Sequence, residues 1–308
     1  MPPKKRKISS LSGLELDLAL AQVKKLRTSF IVEELPESDP APDDTFTDLL
    51  DNTIAALESR ANDPLSLPFS AADDAALSRF NIVSKGLLLL RPWAELRSAV
   101  VTSQALGSDQ LWSNDAMYRH LTFLANSFTA KNGTSARMVI DTLFFRSTAM
   151  VPPPQKIIVV LENQVPAVQP RQSEPDTISG IVDYTAVVVD SKIAKAYIHR
   201  PPSIKKDLIG FFVAEAIDLE AHLPQALLEL VACAKHLGRS HIRGALTTGF
   251  EWCFIIVDLD ADSEGAKYWV SQVIVWMTEQ SKTSSELIVE PTDKASDPAL
   301  IAAILRHG

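Results

Sequence analysis

Cysteine is scarce in this 308-residue sequence, with Cys233 and Cys253 its only two. Two thiols exclude a disulfide-rich scaffold and a zinc site built from cysteines. Long apolar runs are missing as well. Gly86–Leu90 falls far short of the ~18–20 residues of a membrane-spanning helix, so no membrane partner is expected. Met1 leads into charge rather than an apolar stretch, which argues against a secretory leader and for a reducing, intracellular setting. Familiar motifs are also missing. There is no Gly-x-Gly-x-x-Gly, no Gly-x-x-x-x-Gly-Lys, no Gly-x-Ser-x-Gly and no His-Glu-x-x-His. What remains is an ordinary globular composition, 46% hydrophobic and 22% charged, rich enough to fill a core. The length suits one large domain or two ordinary ones at ~100–200 residues each.

The charge is unevenly spread. The net value is -8, yet Lys4, Lys5, Arg6 and Lys7 contribute +4, so the rest carries -12. Pro2 and Pro3 keep this basic run extended, and four adjacent cations suit an acidic receptor groove. The segment reads as a nuclear localisation signal, with an import receptor as its partner and the nucleus as the destination. The acidic remainder argues against a uniformly basic nucleic-acid binder, and the tail alone supports only salt-sensitive attraction to DNA.

The pattern changes about halfway. Residues 1–12 form the basic tail and 13–130 a helical region. Leu14, Leu18, Ala21 and Lys25 keep helical spacing, as do Leu49, Thr53, Ala56 and Leu57. The acidic, proline-rich stretch Glu33–Asp44 reads as a linker. Further helices are predicted over Ala71–Leu90, Asn114–Phe128 and Ser135–Thr148. After Pro152-Pro153-Pro154 the pattern becomes β-rich. Strands are predicted over Lys156–Leu161, Ile178–Val189, Leu208–Ile217, Ile242–Leu246 and Trp252–Leu259. Pro166–Thr177 reads as a loop, and Leu219–Leu237 and Gly265–Glu279 as helices. The division is therefore an α/β core over 131–262 and C-terminal helices over 263–308. The fold class is α+β (α/β), a helical N-terminal half followed by a central mixed sheet flanked by helices.

Two acids stand out. Asp183 lies inside an apolar strand and Glu215 near the end of the next. A buried carboxylate is costly unless it is paired or bound to metal. If the two strands pair as a hairpin, both carboxylates can project into one site, a donor set suited to Mg²⁺. Alternatively each sits at a strand end in water, or pairs with Arg243 or Lys206. Asp190 and Asp258 read as turn residues at strand ends. His222 and His241 lack the partners of a metal site, and Cys233 reads as a small core hydrophobe.

Ser179-Gly180-Ile181-Val182-Asp183-Tyr184 and Phe212-Val213-Ala214-Glu215-Ala216-Ile217, in this order of elements, resemble the PD-(D/E)XK nuclease superfamily. More narrowly they are similar to restriction-endonuclease-like domains of fungal proteins and Crinkler-type effectors. The resemblance covers roughly Ser135 to Leu259. It implies a restriction-endonuclease-like core in which Asp183 and Glu215 hold Mg²⁺ and Gln225, opening the next helix, positions phosphate or water. Asp141, on the helix before the first strand, is the nearest equivalent of an acid that family members often carry there; either it or Glu162, which ends the first strand, could add a metal ligand or a helix-to-strand hydrogen bond. Asp141 could equally pair with Arg137, one turn earlier.

One position departs from the pattern. Ile217 stands where the family carries a lysine that steadies negative charge. On a strand it would share a face with Glu215 and dry the site. Lys205, Lys206 and Lys235 are the nearby cations. Lys235 lies nearly three turns beyond Gln225, ~15 Å at helical rise. Three functions follow: a Mg²⁺-dependent nuclease acting on nuclear DNA; a catalytically dead nuclease fold that binds nucleic acid or protein; or an effector-like nuclear protein whose helical half binds a protein partner. Ile217 moves weight from the first to the second.

Overall fold

The structure, a computed structural model, describes residues 13–32, 48–55, 57, 66–89, 93–128, 133–199, 210–276, 279–280, 287–288 and 297–307. Its contacts divide the chain into two units, Met1–Leu65 and Ser66–Gly308. The first unit contains helix α1 (Gly13–Val32) and a helical stretch, α2, over 48–55. Arg27 Nη2 donates to Asp51 Oδ2 at 3.1 Å between them. The basic tail, the Glu33–Asp44 linker and Ala56 lie outside the described residues.

The second unit is an α+β fold built on a mixed sheet. Its strands are β1 (Ser66–Pro68), β2 (Ile82–Leu88), β3 (Gln155–Val168), β4 (Thr177–Asp190), β5 (Gly210–Glu215), β6 (His241–Thr247), β7 (Glu251–Leu259), β8 (Ala266–Ser271) and β9 (Ile274–Val275). The order is β1-β4-β5-β6-β7-β8-β2, with β3 also on β4 and β9 on β7. β3, β4 and β5 pair antiparallel in succession, β5 and β6 pair parallel, and β7 is antiparallel to β6. The parallel pair needs a crossover, and helix α8 (Leu219–Leu237) provides it. A separate ribbon joins β10 (Glu279–Gln280) to β11 (Leu287–Ile288).

Alternation along β5 divides the core. Phe212 and Ala214 face α8, whereas Phe211 and Val213 face the helices on the other side. Those helices are α4 (Trp93–Ala105), α5 (Asn114–Ser127), α6 (Gly133–Ala149) and α9 (Pro298–His307). The Asp218 side chain caps α8 by accepting from Ala221 N at 2.9 Å, and Gly238, at φ 62°, ends it. Leu227, Leu228 and Leu230 are buried under the sheet, each contributing about 1.5–3 kcal/mol of apolar burial.

Several expectations need correction. Ala71–Leu90 is not one helix. A 3₁₀ turn (Phe69–Ala71) leads to the six-residue helix α3 (Asp74–Arg79), capped by Asp73. Asn81, at φ 52°, then stops it, and the β-branched Ile82 and Val83 enter β2, parallel to β8. Gly265–Glu279 is likewise not a helix, because Tyr268, Trp269 and Val270 run in β8 and Ile274 in β9. Residues 66–130 therefore give strands to the sheet rather than closing a purely helical region. The C-terminal segment holds strands besides α9. β3 continues to Val168, into the expected loop. β4 and β5 are neighbours but no hairpin, since helix α7 (Ser191–His199) connects them.

Candidate functional site

Backbone pairing of β4 with β5 stops at Tyr184–Val213. Just beyond it, Asp183 Oδ2 accepts the N–H of Glu215 at 2.8 Å, so a side chain replaces the next ladder bond. The strand is irregular here. Val182 and Tyr184 are two residues apart yet pack in different cores, one on each face of the sheet. Across from Asp183 on β3, Glu162 adopts φ 51°, an uncommon conformation for a residue with a side chain. This local twist sends three acids toward one point.

Arg137, near the start of α6, occupies that point. Its Nε donates to Glu215 Oε2 at 2.7 Å, its Nη1 to Glu162 Oε1 at 3.3 Å and its Nη2 to Asp183 Oδ1 at 3.3 Å. A close approach fixes the start of α6. Gly249, at φ 86° in the β6–β7 turn, touches Ala136, and a Cβ there would lie 2.9 Å from the Ala136 Cα. Side-chain exposure grades from 12% at Glu215 and 22% at Asp183 to 47% at Arg137 and 66% at Glu162. The cluster therefore spans the boundary between core and solvent.

Burial raises the carboxyls of Asp183 and Glu215 above their usual range, an effect that Arg137 opposes for both. The hydrogen bond with Glu215 holds the Arg137 guanidinium firmly protonated. Asp141 is half-buried and its carboxyl is raised by that burial. It hydrogen-bonds the Tyr184 side chain, whose own pKa is raised by burial and by Asp141. Tyr184, on the α6 side of the sheet, thus ties Asp141 to the strand that carries Asp183.

Asp183, Glu215 and Glu162 offer the hard oxygen donors that Mg²⁺ takes. However, the guanidinium fills the point where they converge, and one oxygen of Asp183 is committed to a backbone N–H. Among the described residues, no group of three or more His, Cys, Asp or Glu side chains is arranged to hold a metal ion. As they stand, the residues do not fit the ion.

The structure thus brings Asp183, Glu215 and Glu162 together, and their partner is Arg137 rather than Arg243. Lys205 and Lys206 lie outside the described residues. Gln225 turns to its own helix, where its Nε2 donates to Glu229 Oε1 at 2.9 Å. Lys235 Nζ donates to the Ser263 carbonyl at 3.0 Å. Ile217 follows the end of β5 and is 87% exposed, so its methyl groups do not dry the site. Asp190 caps the turn into α7 through Lys192 N, as expected of a turn residue. Asp258 instead lies within β7, opposite His241, whose Nδ1 is 2.5 Å from Asp258 Oδ1. His222 contacts the Asp218 carbonyl at 2.8 Å, and Cys233 is buried in the core.

Sequence reasoning read Arg137 only as a possible partner of Asp141, and it passed over Glu229. Arg137 lies 46 residues before Asp183 and 78 before Glu215, and no local pattern joins them. Glu229 is 2% exposed on α8, and burial pushes its carboxyl up to about 8. A signal was present for Glu229: one acid between Leu228 and Leu230 on a helix apolar on every side. In the comparisons with known proteins, no family model matches the chain and no curated protein matches it.

Proposed function

We propose that this chain is a nuclease-like domain that does not cut, a nuclear binding module whose acidic site is occupied from within by Arg137. The observation that carries this reading is the guanidinium bridging Glu215, Asp183 and Glu162. Asp183 and Glu215 are the positions that the PD-(D/E)XK resemblance marks for metal. The element order supports the resemblance: α6, then antiparallel β3, β4 and β5, then α8, then β6 parallel to β5. The exposed Ile217 at the lysine position supports loss of hydrolysis. Arginine cannot take the role of a proton acceptor, because it stays charged at every working pH.

Affinity for nucleic acid resides, on this reading, in Lys4, Lys5, Arg6 and Lys7. The -12 carried by the rest keeps it weak and salt-sensitive. The test is a plasmid-nicking assay with Mg²⁺ or Mn²⁺, paired with DNA retention at two salt concentrations. The reading expects intact plasmid, and retention that disappears on deletion of residues 1–7. Nicking abolished by Asp183→Ala would overturn it.

A further inference from the structure

β3 lies at an edge of the sheet. It pairs with β4 on one side, and among the described residues no strand pairs with its other side. From Gln155, opposite Asp190, to Leu161, opposite Tyr184, the β3–β4 ladder runs without a bulge. Along an antiparallel strand, successive residues aim their N–H and C=O alternately at one neighbour and then the other. Every second residue from Lys156 to Leu161 therefore aims both groups outward. No described backbone group beyond the ladder bonds them. The faces of the strand are already covered. Ile157 and Val159 pack with α5, α6 and α9, and Ile158 and Val160 pack with α7.

The residues on this edge favour pairing. Ile157-Ile158-Val159-Val160-Leu161 is uncharged and largely β-branched. Natural edges interrupt such a run with a charge, a proline or a bulge. Here those devices stand outside it, with Lys156 before and Glu162 and Pro166 after. Exposure rises along the run, from 8% at Ile157 to 58% at Leu161.

The two flanking charges select the occupant. Consider two copies paired antiparallel about a two-fold axis at Val159. Ile157 then lies opposite Leu161 of the other copy, Ile158 opposite Val160, and Lys156 opposite Glu162. Each end closes on a pair of opposite charges. Lys156 is exposed, and Glu162 has a second carboxylate oxygen beside the one that meets Arg137. Moving the axis to Ile158 or Val160 would lose both charge pairs. We propose that this protein forms a homodimer in which β3 pairs antiparallel with β3 of a second copy and continues the sheet across the axis. The pairing borders the acidic cluster at Glu162 and needs no nuclease chemistry.

Sedimentation equilibrium of the full chain, from about 1 to about 100 µM, should show the two-chain mass at the upper end. A one-chain mass throughout would overturn the proposal. Val159→Cys sets two thiols opposite each other across the axis, with Cα atoms ~4.5–5.5 Å apart, within disulfide reach. Mild oxidation should link this variant into a covalent dimer, while the native Cys233 and Cys253 are buried. Leu161→Cys sets its two thiols ~13 Å apart at strand rise and should stay unlinked. Equal linking of the two variants, or no linking of Val159→Cys, would contradict the pairing. Lys156→Glu and Glu162→Lys should each weaken association at least about tenfold, because each opposes like charges at both ends. An equimolar mixture of the two folded variants should recover the wild-type affinity, since both ends regain opposite charges. Wild-type association by Lys156→Glu, or a mixture no tighter than either variant alone, would refute the register.

Discussion

Arg137 Nε donates to Glu215 Oε2 at 2.7 Å, joining the start of α6 to the end of β5 across 78 residues of chain. The same guanidinium reaches Asp183 and Glu162. An acid cluster that would otherwise repel itself is thereby held together by one internal cation. The arrangement bears on the stability of the fold.

Replacing Arg137 by Met keeps much of the packing of the side-chain stem but removes the charge. Arg137 is half-exposed, so the ion pairs are screened and the loss near neutral pH should be about 1 kcal/mol. The loss should shrink on acidification, as Asp183 and Glu215, whose carboxyls burial already raises, take up protons and cease to repel. Urea unfolding at about pH 8 and about pH 4 checks this. An equal loss at both would mean that Arg137 acts through packing alone.

Glu229 makes a second electrostatic prediction. Its carboxyl moves from an ordinary 4.5 to about 8, chiefly by burial, which Gln225 opposes by hydrogen bonding to it. Between those values the folded chain keeps a proton that the unfolded chain has released. Stability should therefore fall as pH rises through this window, by up to ~1.4 kcal/mol per pH unit, and level off above it. Glu229→Gln should remove this slope and gain on the wild type as pH rises. Parallel stability curves for the two proteins would refute the assignment.

Gly180 has a steric role. A Cβ at this position would lie 2.4 Å from Cδ2 of Phe69, a buried ring of the α8-side core. Gly180→Ala should cost about 1–3 kcal/mol by overpacking. Combining it with Phe69→Leu should recover part of that loss, because the two sites share one contact. Chemical denaturation of both single variants and the double variant measures the coupling.

Ile217→Lys supplies the residue type that the PD-(D/E)XK resemblance implies, at a position that cannot use it. The side chain lies beyond the end of β5 in solvent. Stability should change by no more than about 0.5 kcal/mol, as for most surface substitutions. Plasmid should stay intact. Cutting by this single variant would show that the lysine alone was limiting.

Much of the fold was legible in the sequence, for identifiable reasons. α8 was readable to the residue, because Asp218 and Gly238 mark its ends and apolar periodicity fills it. β4 was readable from its run of β-branched residues. β2 and β8 were not, since their apolar residues also fit a helical period and their pairing joins residues far apart in sequence. Asp183 and Glu215 were found as acids that apolar strands should not tolerate. Their partner was not, because a cation on a preceding helix carries no sequence mark of the strand it will meet. The displacement of Ile217 was equally hidden. It depends on β5 ending at Glu215, and strand ends are set by pairing rather than by composition.

The most direct test of the Arg137 account is calorimetric titration of Mn²⁺ into the wild type and Arg137→Ala, each checked for folding. The account predicts no saturable heat from the wild type, and saturable heat from Arg137→Ala that disappears on adding Asp183→Ala. Saturable Mn²⁺ binding by the wild type, unchanged or weakened in Arg137→Ala, would contradict it.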